Sequence, residues 1–198
     1  MASTRLGSCT LFFAVLLAGC ASPGPYDRGE YLNSPKLRHS GVPLLPGTSF
    51  LVRQGAFGRS SHNEPGNQFS WDLEVSWGTV IVAVEEGVVL DLYRPDGGGG
   101  CDAKYAQGAW NVKIENSDGT VAQYIHVDGV VRPGEHVKKG QVIGRNVERG
   151  WVCYPHVHFG IYSSRDHLYN STQRETLPLY FDGIPQGLLK EGHSYTAP

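Results

Sequence analysis

Short runs of apolar and β-branched residues, separated by turns, dominate the sequence between residues 49 and 163. Valine and isoleucine are frequent in residues 79–84 and 87–93, and residues 111–115 alternate polar with apolar side chains. Alternation with a period of two puts one set of side chains on each face of a strand. No stretch of this region keeps a 3.6-residue apolar period for three turns. The pattern predicts a mainly β domain with an antiparallel sheet or sandwich.

Turn residues separate the remaining predicted strands. Asn116-Ser117-Asp118-Gly119 predicts a hairpin turn before a strand that ends at His126. Further strands are predicted at residues 136–137, 141–143 and 157–162. The strand pattern fades after Ser163, and residues 177–181 are compatible with one extra strand or with a loose tail.

The N-terminal residues have the composition of an export signal followed by a tether. Arg5 precedes a short apolar run, Leu11–Leu17, which is too short to cross a bilayer core that requires about 20 residues. The five prolines between residues 21 and 48 predict a flexible tether. The expected organisation is a signal peptide (1–19), a lipidated cysteine and tether (20–48), a β domain (49–165) and a C-terminal extension (166–198).

The sequence Leu17-Ala18-Gly19-Cys20 resembles the lipobox of bacterial lipoproteins. This resemblance implies cleavage before Cys20 and lipidation of its sulfur and new amine, which would anchor the chain to a membrane. Ala21 stands where an aspartate would resemble an inner-membrane retention signal, so the outer membrane, facing the periplasm of a Gram-negative cell, is favoured. An ordinary signal peptide with an incidental cysteine is the alternative.

Composition and cysteine content limit the possible classes of protein, its partners and its covalent cross-links. The chain has 26 glycines, 12 prolines and only 18% charged residues, which excludes a coiled coil and a disordered chain. A net charge of −2 does not favour nucleic acid as a partner. Export and lipidation would leave Cys101 and Cys153, which predicts a disulfide between them, with two buried free cysteines as the alternative.

Four histidines and one aspartate are placed where they could form a hydrolytic metal site. His156 and His158 project from the same face of a predicted strand, His126 closes another, and His62 precedes Asp72 by ten positions. A catalytic zinc site uses three protein ligands and leaves a position for water. Hydrolysis also needs groups for proton transfer and oxyanion stabilisation. Taken alone, the His-x-His pair is equally compatible with a structural or surface role.

Five segments in order resemble the LytM/lysostaphin-like zinc metallopeptidases, which cut peptide bonds in bacterial cell-wall peptidoglycan. These segments are His62 to Asp72, Gly78 to Val89, Asp118 to His126, Val131 to Gly144 and Pro155 to Phe159. The resemblance covers half of the chain and implies an antiparallel β fold with zinc at the floor of a groove.

The same resemblance implies roles for single residues. His62, Asp72 and His158 would ligate one Zn²⁺ per chain, while His126 and His156 would carry out proton transfer and oxyanion stabilisation. The residues themselves do not say which member of the His-x-His pair binds metal. The remaining histidines match no motif and are expected at the surface: His39, His136, His167 and His193.

Two departures from the family pattern leave questions open. The first ligand pair is usually closer together, so Glu64 is a rival carboxylate to Asp72. Trp151 and Tyr154 stand where many relatives have small residues, and they should alter the wall of the substrate groove.

The leading functional hypothesis is a membrane-anchored peptidoglycan endopeptidase. A non-catalytic peptidoglycan-binding or amidase-activating relative is the main alternative, and a structural lipoprotein with incidental histidines is a third. Stoichiometric zinc in the mature protein would separate these classes.

Overall fold

A computed structural model describes residues 31–64, 66–170 and 172–198, and the predicted signal peptide and Cys20 lie outside them. The strands are β1 (Arg38–Ser40), β2 (Ser49–Gln54), β3 (Trp71–Glu74), β4 (Val80–Val82), β5 (Gly87–Tyr93), β6 (Gly99–Gly100), β7 (Asn111–Asn116), β8 (Val121–Ile125), β9 (Val127–Gly129), β10 (His136–Val137), β11 (Val142–Asn146), β12 (Gly150–Trp151), β13 (His156–Tyr162), β14 (Leu179–Phe181) and β15 (Ser194–Thr196). The helices are α1 (Arg165–Tyr169) and two 3₁₀ turns, Ala103–Gly108 and Pro185–Gly187. Across these three ranges, no helix has the length and apolar character needed to cross a membrane.

Eight strands form the main sheet, in the order β10-β5-β7-β8-β13-β3-β2-β15, and each neighbouring pair is antiparallel. Strand β13 lies between β8 and β3, with His158 opposite Asp72. Directly paired residues and alternate residues of one strand share a face of the sheet. Asp72, His156 and His158 therefore project from one face near the centre of the sheet.

A three-stranded antiparallel sheet, in the order β4-β11-β9, packs on the opposite face of the main sheet. Leu73 and Phe159 from the main sheet share one core with Ile81 and Ile143 from the smaller sheet, and all four are fully buried. Burial of such side chains is the dominant favourable term in folding. The predicted antiparallel β fold is thus confirmed.

Residues 31–48 pack on the domain, so the predicted tether is wrong for this part of the chain. The Tyr31 side chain is buried, and its hydroxyl donates to the carbonyl oxygen of Leu179 at 3.0 Å. Strand β1 pairs in parallel with β14, and buried Leu44 bridges to Ile81. A search for periodic apolar residues does not detect this packing. The apolar residues that reach the core stand singly between prolines and form no regular pattern.

The C-terminal residues also belong to the folded domain. Strand β14 is the extra strand that the sequence left undecided, and β15 pairs with β2 at the edge of the main sheet. The boundary expected at residue 165 therefore does not separate an independent extension from the β domain.

Candidate metal centre

Asp72 and His158 face each other across strands β3 and β13. Their side chains are buried, and Nδ1 of His158 lies 2.9 Å from Oδ1 of Asp72. Both positions follow from the register of the two strands, which pairs the residues directly.

His62 reaches the same point from the loop between β2 and β3. Its Nδ1 donates to the carbonyl oxygen of Gly55 at 2.9 Å, so its Nε2 carries a lone pair in the neutral ring. That Nε2 lies 3.3 Å from Oδ1 of Asp72 and 3.2 Å from Nδ1 of His158. The ring is completely buried, and the Gly55 carbonyl fixes which nitrogen points at the cluster.

The three atoms have the composition and separations of a zinc ligand set. Zinc bonds of 2.0–2.2 Å in a tetrahedron place neighbouring ligand atoms roughly 3.3 Å apart. The three observed separations are 2.9, 3.2 and 3.3 Å. His62, Asp72 and His158 form a buried group able to hold a metal ion. Two imidazole nitrogens and a carboxylate leave a fourth position open in such a site.

The electrostatics of the cluster match the protonation states that metal ligands require. Burial raises the pKa of Asp72, but the neighbouring His158 and His62 lower it more strongly, to well below its usual range. Burial lowers the pKa of His158 more than neighbouring Asp72 raises it. An ionised carboxylate and a neutral imidazole are the forms that bind a cation.

His126 and His156 lie beside this cluster with their tautomers fixed by backbone carbonyl groups. Nδ1 of His126 donates to the Arg149 carbonyl at 2.7 Å, and Nδ1 of His156 donates to the Tyr154 carbonyl at 2.9 Å. The two rings are 4.6 Å apart. Burial, followed by the charge of His156, lowers the pKa of His126 to about 3. In the neutral form of each ring, Nε2 carries the lone pair, because Nδ1 carries the proton.

The structure distinguishes the two members of the His-x-His pair. His158 contributes to the three-atom cluster, whereas Nε2 of His156 is 3.7 Å from Oδ1 of Asp72 and the His156 ring lies 4.6 Å from that of His126. Glu64, the rival carboxylate, is exposed and is not part of the cluster.

The remaining histidines lie apart from the cluster, as the sequence analysis expected. Three are exposed and His167 is half-buried; the exposed ones are His39, His136 and His193.

His126 occupies a break between strands, not the end of a strand as predicted. Strand β8 ends at Ile125, and His126 has a left-handed backbone with φ of 63°. Its N–H donates to the Trp110 carbonyl at 2.8 Å, and its own carbonyl accepts from the N–H of Val147 at 2.8 Å. These contacts hold an unfavourable conformation that turns the side chain toward the cluster.

A cavity of about 180 Å³ opens beside the four buried site residues Asp72, His126, His156 and His158. Trp151 and Tyr154 form part of its wall, as expected, and the Trp151 side chain is 54% exposed. Cys153 also lines it and forms the predicted disulfide with Cys101, which is confirmed. The disulfide connects the loop after β6 to the segment just before β13.

Sequence reasoning missed Gln54 and the hydroxyl of Tyr154, which both contact Asp72. Gln54 Nε2 donates to Oδ2 of Asp72 at 3.0 Å, and the Tyr154 hydroxyl donates to the same oxygen at 3.1 Å. Burial and the charge of Asp72 raise the pKa of Tyr154, which keeps the phenol protonated. The sequence offered one signal for a role of Gln54: it is a polar residue at the end of an otherwise alternating strand.

Comparison with known families identifies the domain. The model of peptidase family M23 matches residues 67–170, which is more than half of the chain. The chain belongs to peptidase family M23. The M23 match includes Asp72, His126, His156 and His158, whereas His62 precedes it and joins them only in the folded structure.

Relatives of this M23 chain include glycyl-glycine endopeptidase ALE-1 of Staphylococcus capitis, which is 29% identical over 96 residues. That match covers 48% of this chain but only 24% of ALE-1. Pseudoalterin, an M23 metalloprotease from the deep sea, shares the fold at 17% identity with a TM-score of 0.50, covering 81% of this chain and 95% of its own. The lysostaphin catalytic domain of Staphylococcus simulans matches 56% of this chain and 76% of its own, at 23% identity and a TM-score of 0.42.

Proposed function

We propose that this M23 domain is a zinc-dependent endopeptidase that hydrolyses peptide bonds in bacterial cell-wall peptidoglycan. The observation that carries the proposal is the convergence of His62, Asp72 and His158 beside two further histidines whose tautomers are fixed. Family membership and the similarity to an enzyme named as a glycyl-glycine endopeptidase support it.

One Zn²⁺ per chain would be held by His62 Nε2, Asp72 Oδ1 and His158 Nδ1. When bound, zinc supplies a Lewis acid that lowers the pKa of water to about 7. The three ligand side chains are buried, which strengthens each charge interaction among them.

The two other histidines perform the proton transfers in this proposal. Because the Nδ1 protons of His126 and His156 are held by backbone carbonyls, each Nε2 can accept the proton of the attacking water. The ring that gains this proton becomes a donor. It can then stabilise the oxyanion or protonate the departing amine. Two adjacent rings, 4.6 Å apart, are able to divide these tasks.

The substrate is an extended peptide strand of peptidoglycan that crosses the open side of the site. The cavity of about 180 Å³ admits only a small part of a peptide, so the remainder must lie along the surface beside it. Exposed Trp151 stands at this wall and would contact the substrate next to the bond that is cut.

The non-catalytic alternative predicts binding of peptidoglycan or activation of an amidase without bond cleavage. The presence of all five ligand and proton-transfer residues in one buried site favours the enzyme. A structural lipoprotein would have no need for this convergence of costly buried polar groups.

Digestion of purified sacculi tests the proposal directly. We expect the purified protein to contain one zinc per chain and to release peptide fragments that mass spectrometry identifies, while His126→Ala releases them at least about 100-fold more slowly. Zinc-loaded protein that binds sacculi without releasing fragments would contradict the enzymatic function.

The proposed enzyme acts as an outer-membrane lipoprotein that faces the periplasm and is anchored through Cys20. The lipobox-like sequence and the absence of aspartate after Cys20 support this proposal. When the full sequence is expressed, metabolic labelling with a palmitate analogue should mark the mature protein but not the Cys20→Ala variant. Unlabelled parent protein in the soluble fraction would contradict the anchor.

A further inference from the structure

The two carboxylate oxygens of Asp72 have entirely different neighbours. Oδ1 faces the histidine ligands, at 2.9 Å from His158 Nδ1 and 3.3 Å from His62 Nε2. Oδ2 faces away and accepts two hydrogen bonds, from Gln54 Nε2 at 3.0 Å and from the Tyr154 hydroxyl at 3.1 Å. The carboxylate is therefore oriented by neutral donors on one side and open to a cation on the other.

Gln54 is held in one orientation by the loop that carries His62. It lies opposite Asp72 after an irregularity in the pairing of β2 with β3, and its side chain is buried. Its Oε1 accepts from the backbone N–H groups of Ser60 at 2.8 Å and Ser61 at 3.1 Å. Since those donors occupy the amide oxygen, the amide nitrogen must point at Asp72. Gln54 thus links the His62 loop to the carboxylate.

Tyr154 reaches the same oxygen from the segment just before β13. It follows Cys153, which the disulfide ties to Cys101, and its ring lies 4.6 Å from that of His156. The guanidinium of Arg53 lies 5.5 Å from the centre of the Tyr154 ring. A phenol hydroxyl keeps its proton at neutral pH, so here it acts as a donor to the carboxylate.

We infer that Gln54 and Tyr154 are positioning residues that restrict Asp72 to coordination through Oδ1 alone, an inference that rests on the metal site of the proposed function. A carboxylate whose second oxygen accepts two hydrogen bonds cannot readily turn that oxygen to the metal. Single-oxygen coordination preserves the open position that a catalytic zinc requires for water. Hydrogen-bonded partners of metal ligands typically contribute 10–100-fold in metal affinity or activity.

The test uses Tyr154→Phe and Gln54→Leu, with Tyr93→Phe as a control in an exposed tyrosine outside the site. Zinc affinity is measured by competition with a chelating dye, and the visible absorption of the Co²⁺-loaded protein reports the coordination number. We expect each site variant to lose about 10–100-fold in zinc affinity. We also expect weaker cobalt absorption, because coordination by both oxygens raises the coordination number. Tyr93→Phe should match the parent in both measurements.

Parent-like zinc affinity and an unchanged cobalt spectrum in both site variants would overturn the inference. The inference would fail in that case even if Tyr154→Phe cleaved peptidoglycan more slowly, because such a result would place the hydroxyl on the substrate. Tyr154→Phe removes a single oxygen atom, so it remains decisive if Gln54→Leu fails to fold. A parent that binds Co²⁺ but never cleaves peptidoglycan would refute the proposed function and not this inference.

Discussion

Nδ1 of His126 donates a hydrogen bond of 2.7 Å to the backbone carbonyl of Arg149, which lies 23 residues further along the chain. This contact sets the tautomer of the proposed proton-transfer residue, and it depends on the path of the backbone at residues 149 and 150. The Arg149 side chain helps to hold that path, because its guanidinium lies 4.7 Å from the centre of the Trp110 ring. A cation–π contact at an exposed site contributes about 0.5–1 kcal/mol.

Gly150→Ala should therefore reduce activity without removing a functional group. Gly150 has a φ of +92°, and a Cβ there would lie 2.6 Å from Cα and Cβ of Ala109. The backbone must shift, which moves the Arg149 carbonyl away from His126. We expect a lower kcat with unchanged zinc content, measured on a soluble peptidoglycan fragment. Gly134→Ala is the matched control, since Gly134 has a φ of +84° with no atom within 4 Å of the added Cβ.

Both glycine variants should lose about 1–2 kcal/mol of stability from the left-handed backbone. Only Gly150→Ala should lose activity beyond that common effect. Equal kcat values for the two variants would show that the Arg149 carbonyl does not control His126.

His126→Ala should separate proton transfer from metal binding. The residue lies outside the three-atom ligand cluster, so zinc content should equal that of the parent. General acid–base groups typically contribute 10²–10⁴-fold, so we expect kcat to fall by that factor. His136→Ala, at an exposed histidine, serves as the control. Cleavage by His126→Ala at the parent rate would remove His126 from the mechanism.

Asp72→Ala should abolish zinc binding and cleavage together. The substitution removes the oxygen atom that lies nearest to both histidine ligands and leaves two neutral nitrogens to hold a dication. Zinc per chain, measured by atomic absorption after dialysis, should fall from one to near zero. Asp166→Ala, at an exposed carboxylate, should retain its metal. Full zinc occupancy in Asp72→Ala would mean that another group supplies the third ligand.

Loss of the disulfide should lower the melting temperature clearly. Cys101 and Cys153 are 52 residues apart in sequence, for which chain-entropy arguments give about 4 kcal/mol. For a protein of this size, that corresponds to a decrease in Tm of about 8–16 °C. Calorimetry of the Cys101→Ser/Cys153→Ser double variant measures it. Reductant should lower the Tm of the parent toward that of the variant, and a variant that melts with the oxidised parent would contradict the prediction.

Local patterns in the sequence were sufficient to predict the strands that carry the site residues. The period of two between His156 and His158 placed both on one face of a strand, because alternate side chains of any strand share a face. The same reasoning failed for residues 31–48, whose Tyr31 and Leu44 reach the core from between prolines. Docking of isolated side chains depends on the shape of the surface that receives them, which has no period along the chain.

The sequence by itself determined the antiparallel β character of the domain, the five candidate site residues and the resemblance that identifies the family. Only the tertiary structure decided which atoms meet. Nε2 of His62 joins the cluster because the Gly55 carbonyl holds its Nδ1, and Gln54 contacts Asp72 because the pairing of β2 with β3 shifts beside it. The physical reason is that strand alternation is a local property of the backbone. The hydrogen bonds that orient a ligand or fix a tautomer, in contrast, join carbonyl and side-chain groups from distant loops, and packing of the whole domain brings those loops together.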